Sequence, residues 1–451
     1  MVNTLFLPEL REMLAVNNVG ELAEFCTALH PARTAEFMEG LDAPEAWQVL
    51  QFAEPNLRAE IFSYLNYDRQ VEMLQEQDDT QVADLITHIP ADDAVDLLGE
   101  LPEARVEHLL ALIPAPDRRD IRKLQTFAEG TAGALMTTEV ACLNQRLTVR
   151  EAFEKLSRQA ERLETIHYIY IVDDTNHLRG VVSTRNLVSS IGKQERRLGE
   201  MMQTDLVTVG AHEDQEHVAQ QVAKFNLLAI PVVDADRHLL GIITHDDVID
   251  VVIEVATEDA QRFAAVDPLE DSYARTPILT LTWKRGMWLG ILFFAGLFTA
   301  LALKHYQPEL DRFEWMVWFI PLVIGSGGNS GSQSSVLIIT AMATGDIQLR
   351  DWMTIISREI ATGALLGLFL GLVGLAPALY LAPTAWAAMI IPLTIFFVVI
   401  CGTLTGSVLP LLFKRISWDP ALMSNPFVAG INDILGIVVY VTIARLLLGN
   451  A

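Results

Sequence analysis

The chain has 451 residues, 51% of them hydrophobic, with a mean hydropathy of +0.30 and a formal net charge of −25. At about 150 residues per domain this is too long for one ordinary domain, and the hydropathy suits a membrane protein better than a soluble one. The acidic balance excludes a basic nucleic-acid-binding face, and three widely spaced cysteines (Cys26, Cys142, Cys401) exclude a disulfide framework or a CxxC metal pair.

Charge separates by position. Of 57 acidic and 32 basic residues, 281–451 holds only 8 and 9, leaving 49 and 23 in 1–280. An acidic soluble part is therefore joined to an apolar, nearly neutral part. Met1–Leu10 has no basic n-region before an apolar run, so no cleavable signal peptide is expected and the soluble part is expected in the cytosol.

Residues 20–128 read as short helices punctuated by proline. Ile89-Pro90, Leu101-Pro102 and Ile113-Pro114 recur at a spacing of 12, with amphipathic stretches between them. This predicts an all-α superhelical N domain over 1–130, an interaction surface with no catalytic cluster.

Residues 136–250 contain a repeat. Met136-Thr137-Thr138-Glu139 matches Met202-Gln203-Thr204-Asp205, and His177-Leu178-Arg179-Gly180 matches His238-Leu239-Leu240-Gly241. Apolar runs 168–172 and 229–233 read as buried strands followed by turns. The segment resembles a tandem pair of CBS domains, which implies an α/β module over 131–253 that often binds adenine nucleotides.

An acidic stripe follows. Asp246, Asp250, Glu254 and Glu258 are spaced at i+4, with Asp247 and Asp259 alongside and Glu213, Asp214 and Glu216 in the same module. On one helix face these like charges repel by about 0.2–0.5 kcal/mol per pair. Either the face is merely solvated, or a hard divalent cation such as Mg2+ reverses the penalty.

Five apolar segments fall at 286–303, 315–342, 354–381, 386–413 and 424–448, near the roughly 20 residues a spanning helix needs. Lys284, Arg285, Arg350, Lys414 and Arg415 flank one side. The positive-inside rule then puts the N-terminus in the cytoplasm and the C-terminus outside.

The second segment runs Pro321-Leu322-Val323-Ile324-Gly325-Ser326-Gly327-Gly328-Asn329-Ser330-Gly331-Ser332-Gln333. Pro321 can break a helix, and glycine with polar side chains at membrane depth suits irregular backbone along a water-filled path. Close packing through small residues is the competing reading. Asp433 lies roughly 14 Å inside the fifth segment by helical rise. A carboxylate there is expensive, so it should face a hydrated path or a partner; Arg445 lies twelve residues on in the same segment, about 18 Å away along one helix, so a pair with it would have to form across helices. His212 and His217 are five apart and so do not form HExxH, and the chain has no GxxxxGK[ST] phosphate loop. No triad, dyad or zinc motif supports an enzyme.

The whole order resembles the MgtE family of magnesium channels, with an N domain, a CBS pair, an acidic plug helix (254–280) and five transmembrane helices (281–451). The Pro321–Gln333 motif, Ala256-Thr257-Glu258-Asp259, Asp419-Pro420-Ala421, Asn425-Pro426 and Asp433 carry the resemblance. It implies a homodimer in the cell (inner) membrane, with no nucleic acid partner, that conducts Mg2+ and is closed by cytosolic Mg2+.

By resemblance, Asp433 is the pore carboxylate and Asn425 lies on the ion path, with Asn329, Gly325 and Gly328 beside it. Asp92, Asp96, Glu216, Asp247, Asp250, Glu254, Glu258 and Asp259 are implied to bind regulatory Mg2+, with Asp419 meeting the plug helix near Glu258. Thr244 and Asp247 fit the ribose pattern for ATP, whereas the first repeat has Asn186 in place of the aspartate. Asn226 and Val255 stand where the family pattern has acids. Two alternatives stay open: a cation-coupled secondary transporter, and a membrane-anchored ion or nucleotide sensor that does not conduct.

Overall fold

The computed structural model describes residues 6–160, 163–269, 273, 276–416, 418 and 425–449. The chain divides into two compact units, Met1–Ile253 and Glu254–Ala451.

The N-terminal unit opens with a run of short helices from Leu7–Ala15 to Ala115–Leu124. Pro90, Pro102 and Pro114 are the N-caps of Ala91–Gly99, Glu103–Leu112 and Ala115–Leu124. Proline fits there because it cannot continue the preceding helix and loses no needed donor. The 12-residue spacing reaches further back than the Ile-Pro pairs showed. Met38, Leu50, Phe62, Leu74, Ile86, Leu98 and Leu110 are each 12 residues apart, and all are buried in one core. Each of the seven helices from Pro31–Met38 to Glu103–Leu112 thus contributes one anchor to a continuous stack.

Each CBS repeat contains a three-stranded sheet. β1 (Val140–Asn144) pairs parallel with β2 (Thr165–Val172), which pairs antiparallel with β3 (Leu178–Ser183). β4 (Val209–Gly210), β5 (Ala229–Val233) and β6 (Leu239–Thr244) repeat this order. The repeats exchange their leading segments. Thr137 and Ile242 trade backbone hydrogen bonds at 2.9 and 3.0 Å, as do Gln203 and Val181 at 2.9 Å each. Glycine is required opposite each exchange: a Cβ on Gly180 would lie 2.8 Å from the Gln203 carbonyl, and one on Gly241 would collide with the Thr137 carbonyl. This explains why Met-x-Thr and the glycine recur together.

Helix His245–Phe263 carries the chain from one unit into the other. The Ala256–Asp259 motif therefore lies inside this helix and does not start one, and the 253/254 boundary falls within continuous helix.

The C-terminal unit is helical. Ile278–His305, Leu349–Leu381, Ala385–Arg415 and Pro426–Leu448 are, among the described residues, long and apolar enough to cross a membrane. The expected second span forms the 24-residue helix Ile320–Ala343, but its glycine, serine and amide content leaves it outside that set. Pro321 does not break it. The proline sits in the first turn and the helix continues through Gly325–Gly331, where no backbone donor is lost.

Small residues set the packing. A Cβ on Gly367 would be 2.8 Å from the Phe396 carbonyl, and one on Gly371 would be 2.9 Å from that of Pro392. Gly402 and Gly406 likewise receive the carbonyls of Gly327 and Gly331. A Cβ on Gly327 would lie 2.6 Å from Val398 Cγ1 and one on Gly331 would collide with Asn432 Nδ2, so the packing reading accounts for both glycines, and no irregular backbone appears in this segment.

Candidate functional sites

In the N-terminal unit, helix Ala91–Gly99 and the start of helix His245–Phe263 bring carboxylates together. Asp92 is pushed well above the usual carboxylate range, first by burial and then by Asp93, Asp247 and Glu164. Its Oδ1 is buried with no hydrogen-bond partner. Burial, Asp247, Asp96, Asp250 and Asp246 raise Asp93 to about 6. Glu164 is raised to about 7 by burial, Asp247, Glu139, Asp246 and Asp93. Asp93 and Glu164 keep exposed surface, so water screens part of this repulsion. Asp247 is also raised by burial, although Thr244 opposes the shift.

Every charged group acting most strongly on these four is itself acidic. Such a crevice is costly with all its carboxylates ionised. It can hold protons or a hard cation with retained waters.

The structure thus joins the expected Asp92, Asp96, Asp247 and Asp250 with Asp246 of the acidic stripe, and adds Asp93, Glu139 and Glu164. The Asp92-Asp93 doublet was a readable signal. Glu164 had none, because it stands alone in sequence just before β2. Glu216 is exposed in the first turn of helix Gln215–Phe225, its N–H donated to Asp214, and is not among the strongest neighbours of these four.

Asp247 also has a local task. Thr244 Oγ1 donates to Asp247 Oδ2 at 2.5 Å and Thr244 N–H donates to it at 3.2 Å. The expected nucleotide pair is therefore engaged with itself. In the first repeat, Ser183 Oγ accepts instead from the Asn186 N–H at 3.2 Å.

In the C-terminal unit, Glu254 is exposed and Glu258 and Asp259 are half-buried on the linking helix. Glu258 pairs with Arg262 at 3.0 Å, so a cation one turn on already offsets part of the stripe. Asp419 lies outside the described residues. Asn425 begins the last helix, Asn425–Leu448.

Asp433 is half-buried on that helix, facing Gly328. Its neighbour Asn432 is 1% exposed, and neither amide atom has a hydrogen-bond partner. Gly325 and Asn329 stand on the same helix as Gly328, three residues before it and one after. With Pro321 and Gln333, at i+4 intervals, they line an open cleft of about 370 Å³ against Leu366 and Leu370. Arg445 is not the partner of Asp433: it pairs with Glu309 and stacks over Tyr306, 5.4 Å from the ring centroid.

Sequence reasoning missed Glu359, the one acidic residue inside Trp352–Leu381. It accepts from Ser334 Oγ of the glycine helix at 2.6 Å, and its carbonyl accepts from Thr403 Oγ1 at 3.2 Å.

Comparison with known proteins matches both units. Residues 320–443 fit the divalent cation transporter model MgtE, 29–130 the MgtE intracellular N domain, and 132–193 and 198–254 the CBS domain. The chain is 37% identical over 331 residues to the magnesium transporter MgtE of Thermus thermophilus, covering 73% of each. It is 35% identical over 444 residues to that of Enterococcus faecalis, covering 97% of this chain and 96% of the relative. The soluble part of a magnesium transporter superposes with a TM-score of 0.52 at 34% identity, covering 55% of this chain and 97% of that one. The cytosolic domain of the Mg2+ channel MgtE in complex with ATP gives 0.50 at 31%, covering 54% and 98%.

Proposed function

The chain belongs to the MgtE family of divalent cation transporters, and we propose that it passes Mg2+ across a membrane beside Asp433 and is closed by Mg2+ in the Asp92–Asp247 crevice. The observation that carries this reading is the buried, unpartnered Asp92 Oδ1 among acidic neighbours. A hydrated Mg2+ donates water protons to several carboxylates at once and turns their repulsion into bridging. At 100 times its dissociation constant, one such site stabilises the bound form by about 2.7 kcal/mol. Driving a gate fully needs about 5.5 kcal/mol, so more than one ion takes part. Glu254, Glu258, Asp259, Glu216 and Asp419 are the further regulatory carboxylates in this reading.

Asp433, Gly328 and Asn425 line the ion path, with Gly325 and Asn329 along it. Two copies related by a two-fold axis would place two Asp433 carboxylates across that path, enough charge to favour a divalent over a monovalent ion. The N-terminal unit faces the cytoplasm, and ATP binds the CBS pair near Thr244 and Asp247.

Isotopic Mg2+ uptake into proteoliposomes tests the reading. Uptake that Asp433→Ala abolishes at equal reconstitution supports it, and no uptake by the parent leaves only a sensor. Single-channel current distinguishes a channel from a coupled carrier.

A further inference from the structure

The turns after β2 and β5 bring His177 and His238 together, with ring centroids 4.3 Å apart and planes inclined by 30°. They meet at the seam between the repeats, where Leu178 N–H donates to the Arg237 carbonyl at 2.9 Å and Leu239 N–H to that of Asn176 at 3.2 Å. In the first repeat this turn is electrically closed. Asp173 accepts from Thr175 N–H at 2.9 Å, Thr175 Oγ1 at 2.7 Å and His177 N–H at 3.1 Å, and Arg179 forks onto it at 2.8 and 2.6 Å.

The second repeat keeps the aspartate, the histidine and the leucine after it and changes the other four positions; Ala235 stands where Asp174 stands and Arg237 where Asn176 stands. Asp236 stands where Thr175 stands, and Leu240 stands where Arg179 stands. No arginine forks onto Asp234 as Arg179 does onto Asp173, and the second carboxylate stands two residues on, at Asp236, where the first repeat has it one residue on, at Asp174. Asp234 Oδ1 accepts from Asp236 N–H at 2.9 Å and His238 N–H at 2.8 Å, and its Oδ2 meets His238 Nδ1 at 2.8 Å. Arg237, in the same turn, forms no ion pair with either carboxylate among the described residues. One oxygen of each aspartate and a ring nitrogen of His238 lie within 4.8 Å of one another.

We propose that Asp234, Asp236 and His238 form a binding site for a first-row transition-metal dication of the Co2+ or Zn2+ class. Two carboxylates and a neutral imidazole match a dication in charge. The imidazole nitrogen favours transition ions, whereas Mg2+ takes oxygen ligands. The His177 ring stacked on His238 fixes the ligand's plane. His238 is about a third exposed and Asp236 is exposed, so water completes the coordination. The site differs in chemistry from the all-carboxylate crevice, and in the first repeat Arg179 occupies the corresponding aspartate, Asp173.

The test uses the full-length protein in detergent with Co2+ as probe and Mg2+ in excess. The visible absorption of bound Co2+ should titrate one ion per chain that Mg2+ does not displace. Asp236→Thr, which installs the first repeat's residue, and His238→Gln should each weaken Co2+ binding roughly tenfold or more. Their circular dichroism and thermal unfolding without Co2+ should match the parent. Co2+ binding that Mg2+ displaces, or that both variants retain at parental affinity, overturns the site.

Discussion

Gly328 and Asp433 face one another across two helices: a Cβ on Gly328 would lie 3.8 Å from Asp433 Oδ1 and 3.3 Å from Ala429 Cβ. The absent side chain leaves room for the carboxylate and for water around it. Mg2+ gives up its waters reluctantly, so on the proposed ion path that room would matter more than a direct ligand.

Filling the space should therefore impair transport before it impairs folding. Gly328→Ala needs only a few tenths of an ångström of yielding by Ala429 and should retain part of the Mg2+ uptake. Gly328→Val should lower uptake by roughly tenfold or more, about 1.4 kcal/mol at the barrier, at parental insertion and reconstitution. Parental uptake by the valine variant would remove Gly328 from the path.

The raised carboxylates give a pH signature. Asp92, Asp93 and Glu164 hold protons in the folded chain at pH values where the unfolded chain has lost them, since unfolded carboxylates titrate near 4 and Asp93 and Glu164 lie at about 6 and 7. The folded state binds more protons between these limits. Without Mg2+, stability should be fully present below about pH 4 as far as these groups are concerned and fall as pH rises towards 7. Added Mg2+ should raise the first thermal transition most near pH 7 and least near pH 5, because protons and Mg2+ compete. An equal Mg2+ effect at both values would place the ion outside the crevice.

Neutralising two facing members tests the gate itself. Asp93→Asn with Asp250→Asn keeps side-chain size and removes charge from both helices. The Mg2+ concentration that half-closes the pathway should rise roughly tenfold, a loss of about 1.4 kcal/mol, with uptake at low Mg2+ unchanged. Closure at the parental concentration would make these two residues merely solvated.

The repeat structures were the most legible part of the chain. Proline every 12 residues and Met-x-Thr paired with Gly180 and Gly241 are local patterns with local geometric causes. On the crevice, spacing showed only the linking-helix acids, Asp246 and Asp250 at i+4 with Asp247 beside them, whereas Asp92 and Asp96 were implied only by the family resemblance. Glu164 reaches it from just before a strand far along the chain, and no periodicity announces that. The glycine helix was misread for a physical reason. Proline in a first turn costs no hydrogen bond, and glycines at Gly327 and Gly331 are demanded by the approach of Val398 and Asn432, so the helix stays regular. Glu359 escaped notice because its partner, Ser334, lies on another helix.

The partner of Arg445 decides a last question about Asp433. Had Arg445 neutralised Asp433, removing the arginine would expose a carboxylate and change ion selectivity. It pairs instead with Glu309, whose other oxygen, Oε2, is buried without a partner, and it covers the Tyr306 ring. The arginine side chain is 56% exposed, so the pair sits in the range of about 0–1 kcal/mol typical of accessible ion pairs. Arg445→Met keeps the apolar stem and removes the charge. It should lower thermal stability by about 1 kcal/mol or less and leave the ratio of Mg2+ to Na+ uptake unchanged. Glu309→Gln should relieve that cost in the double variant, because the orphaned carboxylate disappears. A change in selectivity with Arg445→Met would mean that Arg445 acts on the Asp433 path after all.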